Sequence, residues 1–543
     1  GHPSPGLGRN PTVCERESIM SSQIDGPPAT ADAPETRMPW GLKTLFRLVS
    51  SIERVGNKLP HPFLLFWLLA AVLAVVSAIL AALGTGVVLP STGEVSMVRS
   101  LLSSDGVAMI FGTALDNFAG FAPLPIIVTV ILGVSVAEHS GVLTTLLRAT
   151  IVKLPAKWVT FSVAFAGTMS HVMFDAAFIV VLPLAAMAFK AAGRSPVLGM
   201  MVAFVAIAGG YNASPLITPS DAIMSSLTTS AAQIVDADYS VTPVDNYFFS
   251  LASSLVISIF ITLVVELVMA KHMNLDADEG VEDGAEKLAL DLEPIEKKGM
   301  RRAGAAFAVY VAVVVAALLP PSSPLRGEDG GFVQSIVLQN IAFFIAIAFV
   351  LVGWVYGRTT GSLRQLREIP ESMAVGIKTL APILVLFFAI SQFLAYFKWT
   401  GIGNVVAVEG AELLKAGGLH PLVVFAMMLV LISVMNLLVT SGSAMWSMLA
   451  PVLVPMLMYI DVNPETTQAV YRIADSCTNA MTPMSAYFVL TLGLIQRYKK
   501  NAGIGTLASF TIPVALGMLI VWAALFAVWY MLGIPLGPGA PIR

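Results

Sequence analysis

Residues 436–456 read NLLVTSGSAMWSMLAPVLVPM and residues 471–487 read YRIADSCTNAMTPMSAY, with a short polar gap at 461–467 between them. Both stretches are apolar enough to enter a membrane, yet Ser, Gly, Thr, Asn and Pro interrupt them, and Arg472 and Asp475 stand three residues apart. An Arg or Asp at the bilayer centre costs roughly 2.5–3.5 kcal/mol on insertion scales, so such residues are usually retained for function. This stretch reads as half of a transport site.

The whole composition agrees. Of 543 residues, 56% are hydrophobic and 12% charged, and the mean hydropathy is +0.81; average proteins carry about 25% charged residues. A net charge of −3 gives nucleic acid no reason to bind. Cys14 and Cys477 are far apart and form neither a disulfide framework nor a CxxC site. The first 40 residues, rich in Pro, Ser, Gly and acids, predict a disordered cytoplasmic tail and not a cleavable signal peptide.

Apolar runs of the roughly 20 residues that a spanning helix needs recur along the chain. They predict an all-α polytopic membrane protein with nine transmembrane helices and two re-entrant hairpins. The first repeat, 41–270, holds spans at 62–88, 123–143 and 247–270, a hairpin at 159–190 and a broken span at 195–235. The hairpin tip is GTMSHVMFD (Gly167–Asp175) and the break is GGYNASPLITPSD (Gly209–Asp221). Residues 89–122 are amphipathic and predict an interfacial segment. A cytoplasmic linker, 271–302, ends in Lys297, Lys298, Arg301 and Arg302. After it come a linking span at 303–320, spans at 334–356 and 379–397, a hairpin at 421–458, a broken span at 468–497 and a last span at 505–533. Residues 362–373, SLRQLREIPESM, read as a surface helix.

With the N-terminus cytoplasmic, 25 of the 31 Lys and Arg fall inside and five outside, leaving Arg472 within the membrane. That asymmetry fits the positive-inside rule and puts the C-terminus on the outer side of the membrane. The second half repeats the first from the opposite face. Paired interruptions in such an inverted repeat point to a midplane binding site, because unwound backbone is tolerated there only in protein or beside a wet cavity.

Arg472 and Asp475 share a helical face, where they either neutralise each other or divide the labour. On the second reading Arg472 takes a substrate anion in its planar fork, while Asp475 is protonatable. Asp221 has no basic neighbour in sequence and reads as an unpaired proton or cation site, as the cap of a half-helix starting at Ala222, or as both. His171 and Asp175 mark the first tip, where water is an equal alternative to function. Ser443 and Trp446 mark the second tip: Trp446 either stacks on an aromatic substrate or anchors at the interface. Asn436, Asn212 and Asn479 are amides suited to Na⁺ or to freed backbone, and a Na⁺ site near Asn436 and Asp475 is one reading. Pro464 and Pro483 kink the flanks of the broken helix. Glu138, His139 and Glu266 fall at helix ends.

GFAPL at 120–124, GGY at 209–211, SGSAMW at 441–446, YRIADSCTNAMTPMSAYF at 471–488 and YKKNAGIGTL at 498–507 together resemble the AbgT (p-aminobenzoyl-glutamate) transporters. The likeness runs from NKLPHPF (Asn57–Phe63) to LGIPLGPGAP (Leu532–Pro541). It implies a homodimer that moves p-aminobenzoate-type folate metabolites and exports sulfonamide drugs on the proton gradient, without a cofactor. The family's functional positions fall on Asp221, Ser443, Trp446, Pro464, Arg472, Asp475 and Pro483. Ser170-His171-Val172 departs from the Ser-Asn-Thr type of first tip. Uptake of p-aminobenzoyl-glutamate coupled to a cation is the alternative with the same residues, H⁺ being the expected ion and Na⁺ the other. No HExxH, GxSG or GxGD motif marks an enzyme, and no P-loop marks an ATP-driven pump.

Overall fold

The computed structural model describes residues 60–90, 92–152, 156–174, 176–270, 291–320, 322–326, 335–483 and 485–543. The expected tail, Asp175 and most of the linker lie outside them.

Helix starts follow from proline. Pro has no N–H to leave unpaired and a backbone angle already suited to a first turn. Accordingly α1 begins at Pro62 and runs to Ala82, capped by His61, whose side chain accepts from the Phe63 N–H at 3.3 Å. A short antiparallel hairpin follows, β1 (Gly86–Val88) against β2 (Val95–Met97), with Val88 opposite Val95. The hairpin joins the end of the run expected as the span 62–88 to the interfacial segment 89–122, whose later part forms α2 (Ser104–Gly112) and α3 (Ala114–Ala119). Three alternating residues per strand are too few to signal a sheet against an apolar background.

Next come α4 (Pro123–Ser140), α5 (Val142–Val152), and the helix pair α6 (Val159–Met169) and α7 (Ala176–Ala191), joined through a 3₁₀ turn at Ser170–Met173. The break then separates α8 (Pro196–Gly209) from α9 (Pro219–Ala232). α10 (Tyr247–Val264) continues as a π turn to Met269.

Beyond the linker lie α11 (Pro294–Leu318), α12 (Ile341–Thr360), α13 (Glu368–Thr400) and α14 (Ile402–Ala416). The second pair is α15 (Pro421–Asn436) and α16 (Gly442–Met458). α17 (Pro464–Asn479) and α18 (Ala486–Gln496) flank the second break, and α19 (Ile504–Leu532) is last. The expected surface helix at 362–373 is absent as a separate element: residues 368–373 are the first turns of α13, whose 33 residues extend about 50 Å. Charged residues at the membrane end of a long helix carry the same pattern as a helix lying on the surface.

Among the described residues seven helices are long and apolar enough to cross a membrane, and they coincide with the seven unbroken spans expected from sequence. α4 and α12 approach through small residues. A Cβ on Gly133 would stand 2.5 Å from the Ala346 Cα, and one on Gly353 would stand 2.8 Å from the Ala137 Cα. In lipid, where no hydrophobic drive joins helices, such backbone contact supplies the packing energy.

The interrupted elements occupy the centre. Every residue of α8 is buried, and so is every residue from Pro464 to Thr478 in α17. α17 carries Glu465, Gln468, Arg472 and Asp475 and is nevertheless hidden, whereas in α11 only Gly299 and Ala303 are buried. A polar helix buried so completely is held for what its side chains do.

Candidate functional site

The break after α8 folds back as Thr218 caps α9. Its hydroxyl accepts from the Asp221 N–H at 3.3 Å, while the Asp221 Oδ2 accepts from the Thr218 N–H at 2.7 Å and from its hydroxyl at 2.8 Å. This is a reciprocal capping box with an acid at N3. The helix therefore starts at Pro219 and not at Ala222. The other carboxylate oxygen, Oδ1, receives the guanidinium Nη2 of Arg472 in a buried ion pair.

That pairing corrects two expectations. Asp221 is not an unpaired acid, and Arg472 is neutralised across the two halves of the chain and not by Asp475 within its own helix. At i and i+3 the two side chains leave α17 close together, but Asp475 turns to the Asn212 amide instead, its Oδ2 accepting from Nδ2 at 3.1 Å. Asn212 binds both charges, because its Oδ1 accepts from the Arg472 Nε at 3.4 Å. Its backbone N–H and its Nδ2 also donate to the Ser476 hydroxyl at 3.0 and 2.9 Å.

The second tip closes on the same charges. Gly442, the first residue of α16, lies against Asp475 so closely that a Cβ there would stand 2.9 Å from both carboxylate oxygens. The Tyr471 hydroxyl donates to the Gly442 carbonyl at 2.6 Å. Trp446 is fully buried, its ring centroid 4.4 Å from that of Tyr471, and its Nε1 donates to the Thr228 hydroxyl at 2.9 Å. It is thus no interfacial anchor. Ser443 is half-buried one residue from the glycine.

Asn436, at the end of α15, donates from Nδ2 to the Asp475 carbonyl at 2.8 Å, the Thr478 hydroxyl at 2.6 Å and the Asn479 Oδ1 at 3.1 Å. Its own Oδ1 is buried without a hydrogen-bond partner, as is the Asp475 Oδ1. Two unused acceptors beside one helical turn suit a proton, a cation or a substrate N–H. Among the described residues no group of three His, Cys, Asp or Glu is placed to hold a metal ion. Pro464 is buried at the first position of α17, and Pro483 is partly buried in the connection to α18.

Among the described residues the first tip holds no comparable contacts. His171 is buried with its ring 4.9 Å from that of Tyr211, and its ring nitrogens reach no well-formed hydrogen bond, only the backbone of Ala206 and Gly210. Glu138 and His139 are exposed, and Glu266 pairs with Arg194 at 2.6 Å, as helix-end residues should.

Sequence reasoning missed Thr218, Thr228, Gln468, Tyr471, Ser476 and Gly442. Part of this was readable: Gln468, Arg472, Asp475, Ser476 and Asn479 fall at i, i+4, i+7, i+8 and i+11, one helical face. It also missed the closure of the α17 start. There the Tyr239 hydroxyl donates to both Glu465 oxygens at 3.0 Å, and residues 463 and 466 donate to the carbonyls of Pro541 and Ile542 at 2.8 and 2.9 Å. In the adjoining loop, burial pushes Asp245 up to about 6 against the opposing hydrogen bonds from Thr242. Burial and the Glu465 charge push the Tyr239 phenol up as well.

A cavity of about 490 Å³ lies between α11 and α12 and reaches the break at Pro215–Ile217. Its walls are apolar, and none of Asp221, Arg472 and Asp475 lines it.

Known proteins share this fold over nearly the whole chain. The sequence profile of the AbgT putative transporter family matches residues 47–543. The p-aminobenzoyl-glutamate transport protein of Escherichia coli (strain K12) is 34% identical over 494 residues, covering 91% of this chain and 96% of that protein. The Alcanivorax borkumensis YdaH transporter, whose crystal structure shows an unusual topology, superposes with a TM-score of 0.82 at 37% identity, over 88% of this chain and all of that one. Neisseria gonorrhoeae MtrF, of a class of antimetabolite efflux pumps, superposes with a TM-score of 0.86 at 38% identity, over 91% of this chain and all of that one. These relatives are membrane transporters, not enzymes.

Proposed function

The chain belongs to the AbgT transporter family, and on that premise we propose that it is a proton-coupled secondary transporter that exports p-aminobenzoate-type folate metabolites and sulfonamide antimetabolites. One observation carries the reading: a buried arginine shared between the two halves of the chain, with a half-satisfied carboxylate beside it.

The substrates in question combine an acidic group, a benzene ring and an aryl amine. Arg472 suits the acid, since its guanidinium offers a planar fork to two oxygens. Trp446 suits the ring once it leaves Tyr471. The free Oδ1 of Asp475 suits the amine N–H, but only as an ionised acceptor. Arrival of the amine therefore expels a proton carried on Asp475, and that exclusion is antiport.

Asp221 acts with the opposite sign. A substrate anion that takes Arg472 leaves Asp221 buried without its cation, a state that favours proton uptake. Substrate and proton then bind together, which favours the second reading, cation-coupled uptake of p-aminobenzoyl-glutamate. Direction follows from which acid dominates the cycle. The Lys and Arg distribution supports an N-terminus in the cytoplasm and a C-terminus in the periplasm. Family resemblance supports a homodimer in the inner membrane, and each broken helix pair is read as one further passage.

Proteoliposomes with imposed gradients test this. Radiolabelled p-aminobenzoate should move against an opposing pH gradient; Asp475→Asn should abolish that drive and retain counterflow exchange. Flux that follows a Na⁺ gradient and ignores pH would overturn the proton as coupling ion.

A further inference from the structure

Thr228 sits seven residues beyond Asp221 on α9, fully buried, and meets two other interrupted elements. Its hydroxyl accepts from the Trp446 Nε1 of α16 at 2.9 Å. The same hydroxyl lies 2.7 Å from the Gln468 Oε1 of α17 and 2.8 Å from the Met224 carbonyl, so its single proton goes to one or the other. Gln468 is one turn before Arg472 and almost fully buried.

The tip of the second pair is fixed by contacts of two kinds. Gly442 against Asp475, the Tyr471 bond to the Gly442 carbonyl and the Trp446–Tyr471 ring contact all lie within the second half. Among the described residues, the Trp446–Thr228 bond is the hydrogen bond that reaches from this tip to the first half. A buried indole N–H needs an acceptor. Moving the ring into a substrate site must therefore break this bond, and moving the tip away from α9 must break it too.

We propose that Thr228, seconded by Gln468, is a positioning residue for Trp446 whose hydroxyl latches the second tip shut over Arg472 and Asp475. The latch is neutral, so it sets how readily the tip opens without altering the charges beneath it. Its consequence for transport rests on the function proposed above, but its existence does not, and the test needs no substrate.

The full chain with Cys14→Ser, Cys477→Ser and Ser443→Cys, in nanodiscs, reports tip opening through its rate of reaction with a hydrophilic maleimide. Adding Thr228→Val keeps the side-chain shape and removes the acceptor; labelling should quicken about fivefold, the worth of one neutral hydrogen bond. Trp446→Phe, which keeps a ring and removes the donor, should do the same. The double variant should be no faster than either single one, and Thr228→Ser should label at the parental rate. Parental rates for both single variants, or a double variant whose acceleration is the product of the two, would overturn the latch. If Thr228→Val does not run as folded protein on size exclusion, Trp446→Phe decides alone: quicker labelling supports the latch and a parental rate overturns it. Absence of counterflow by the wild type would unseat the transport reading and leave this result standing.

Discussion

The two hairpin tips hold matching places in the sequence pattern, yet they face different chemistry. At the second tip Gly442 presses on the carboxylate of Asp475, and its carbonyl is held by Tyr471. At the first, Ser170–Met173 is a buried 3₁₀ turn whose one ionisable side chain, His171, bonds to no other side chain and meets only the Ala206 and Gly210 backbone. The two breaks differ likewise. The first contributes Asp221 in a closed capping box, and the second contributes Arg472 and Asp475, with one carboxylate oxygen unused beside the unused Asn436 Oδ1 of α15. A pattern repeated in sequence therefore need not repeat its function. The first half places a counter-charge beside Arg472, and the second leaves acceptor atoms of Asp475 and Asn436 unpaired next to it.

The sharpest way to break this comparison is to remove the charge that joins the halves. Arg472→Ala leaves Asp221 buried without a cation, and breaking one side of such a pair costs about 3–5 kcal/mol. Counterflow of p-aminobenzoate should fall to background and thermal unfolding in detergent should shift sharply down. Arg472→Ala with Asp221→Ala removes both charges, so the unfolding temperature should recover while transport does not. A double variant that transports would show the pair to be structural only.

A smaller effect separates the tips themselves. Gly442→Ala would force its Cβ to 2.9 Å from both Asp475 oxygens, and Gly167→Ala would force its Cβ to 2.6 Å from the Ala206 Cβ. The first displaces the Asp475 carboxylate; the second overpacks an apolar contact, at a cost of about 1–3 kcal/mol. Gly442→Ala should lower counterflow about tenfold with little change in unfolding temperature. Gly167→Ala should lower the unfolding temperature while the KM of the folded protein is unchanged. Equal losses of transport would mean that both tips work on the site.

What the sequence carried and what it hid follow from the range of each interaction. Helix starts at Pro62, Pro123 and Pro421 and the seven unbroken spans are local properties, written in composition and in the fixed geometry of proline. The breaks were legible because polar residues have no other reason to interrupt an apolar run. The partner of Arg472 was not legible: Asp475 is three residues away and Asp221 is 251, and only packing of α9 against α17 decides between them. Thr228 and Gln468 were hidden for a different reason. Neutral groups cost little to bury when paired, so nothing in their neighbourhood marks them. The β-hairpin at 86–97 escaped because its strands are three residues long.

His171 gives the finest discrimination between the tips, because the two views of it differ in sign. A buried polar group that meets the backbone only outside good hydrogen-bond geometry has lost its water for little return, so its replacement by an apolar side chain of similar size is neutral or stabilising. His171→Leu should therefore hold or raise the unfolding temperature and keep counterflow within about twofold of wild type. Were the first tip to handle substrate or proton as the second is proposed to, the imidazole would find its partner only in the opposite, open conformation. Leucine would then stabilise the closed state further and slow transport, with a loss comparable to that of Gly442→Ala. Counterflow at equal protein density in proteoliposomes, read beside the unfolding temperature, separates the two. A stabilised and active variant leaves the first tip as packing, and a stabilised and slow one gives the two tips a shared role.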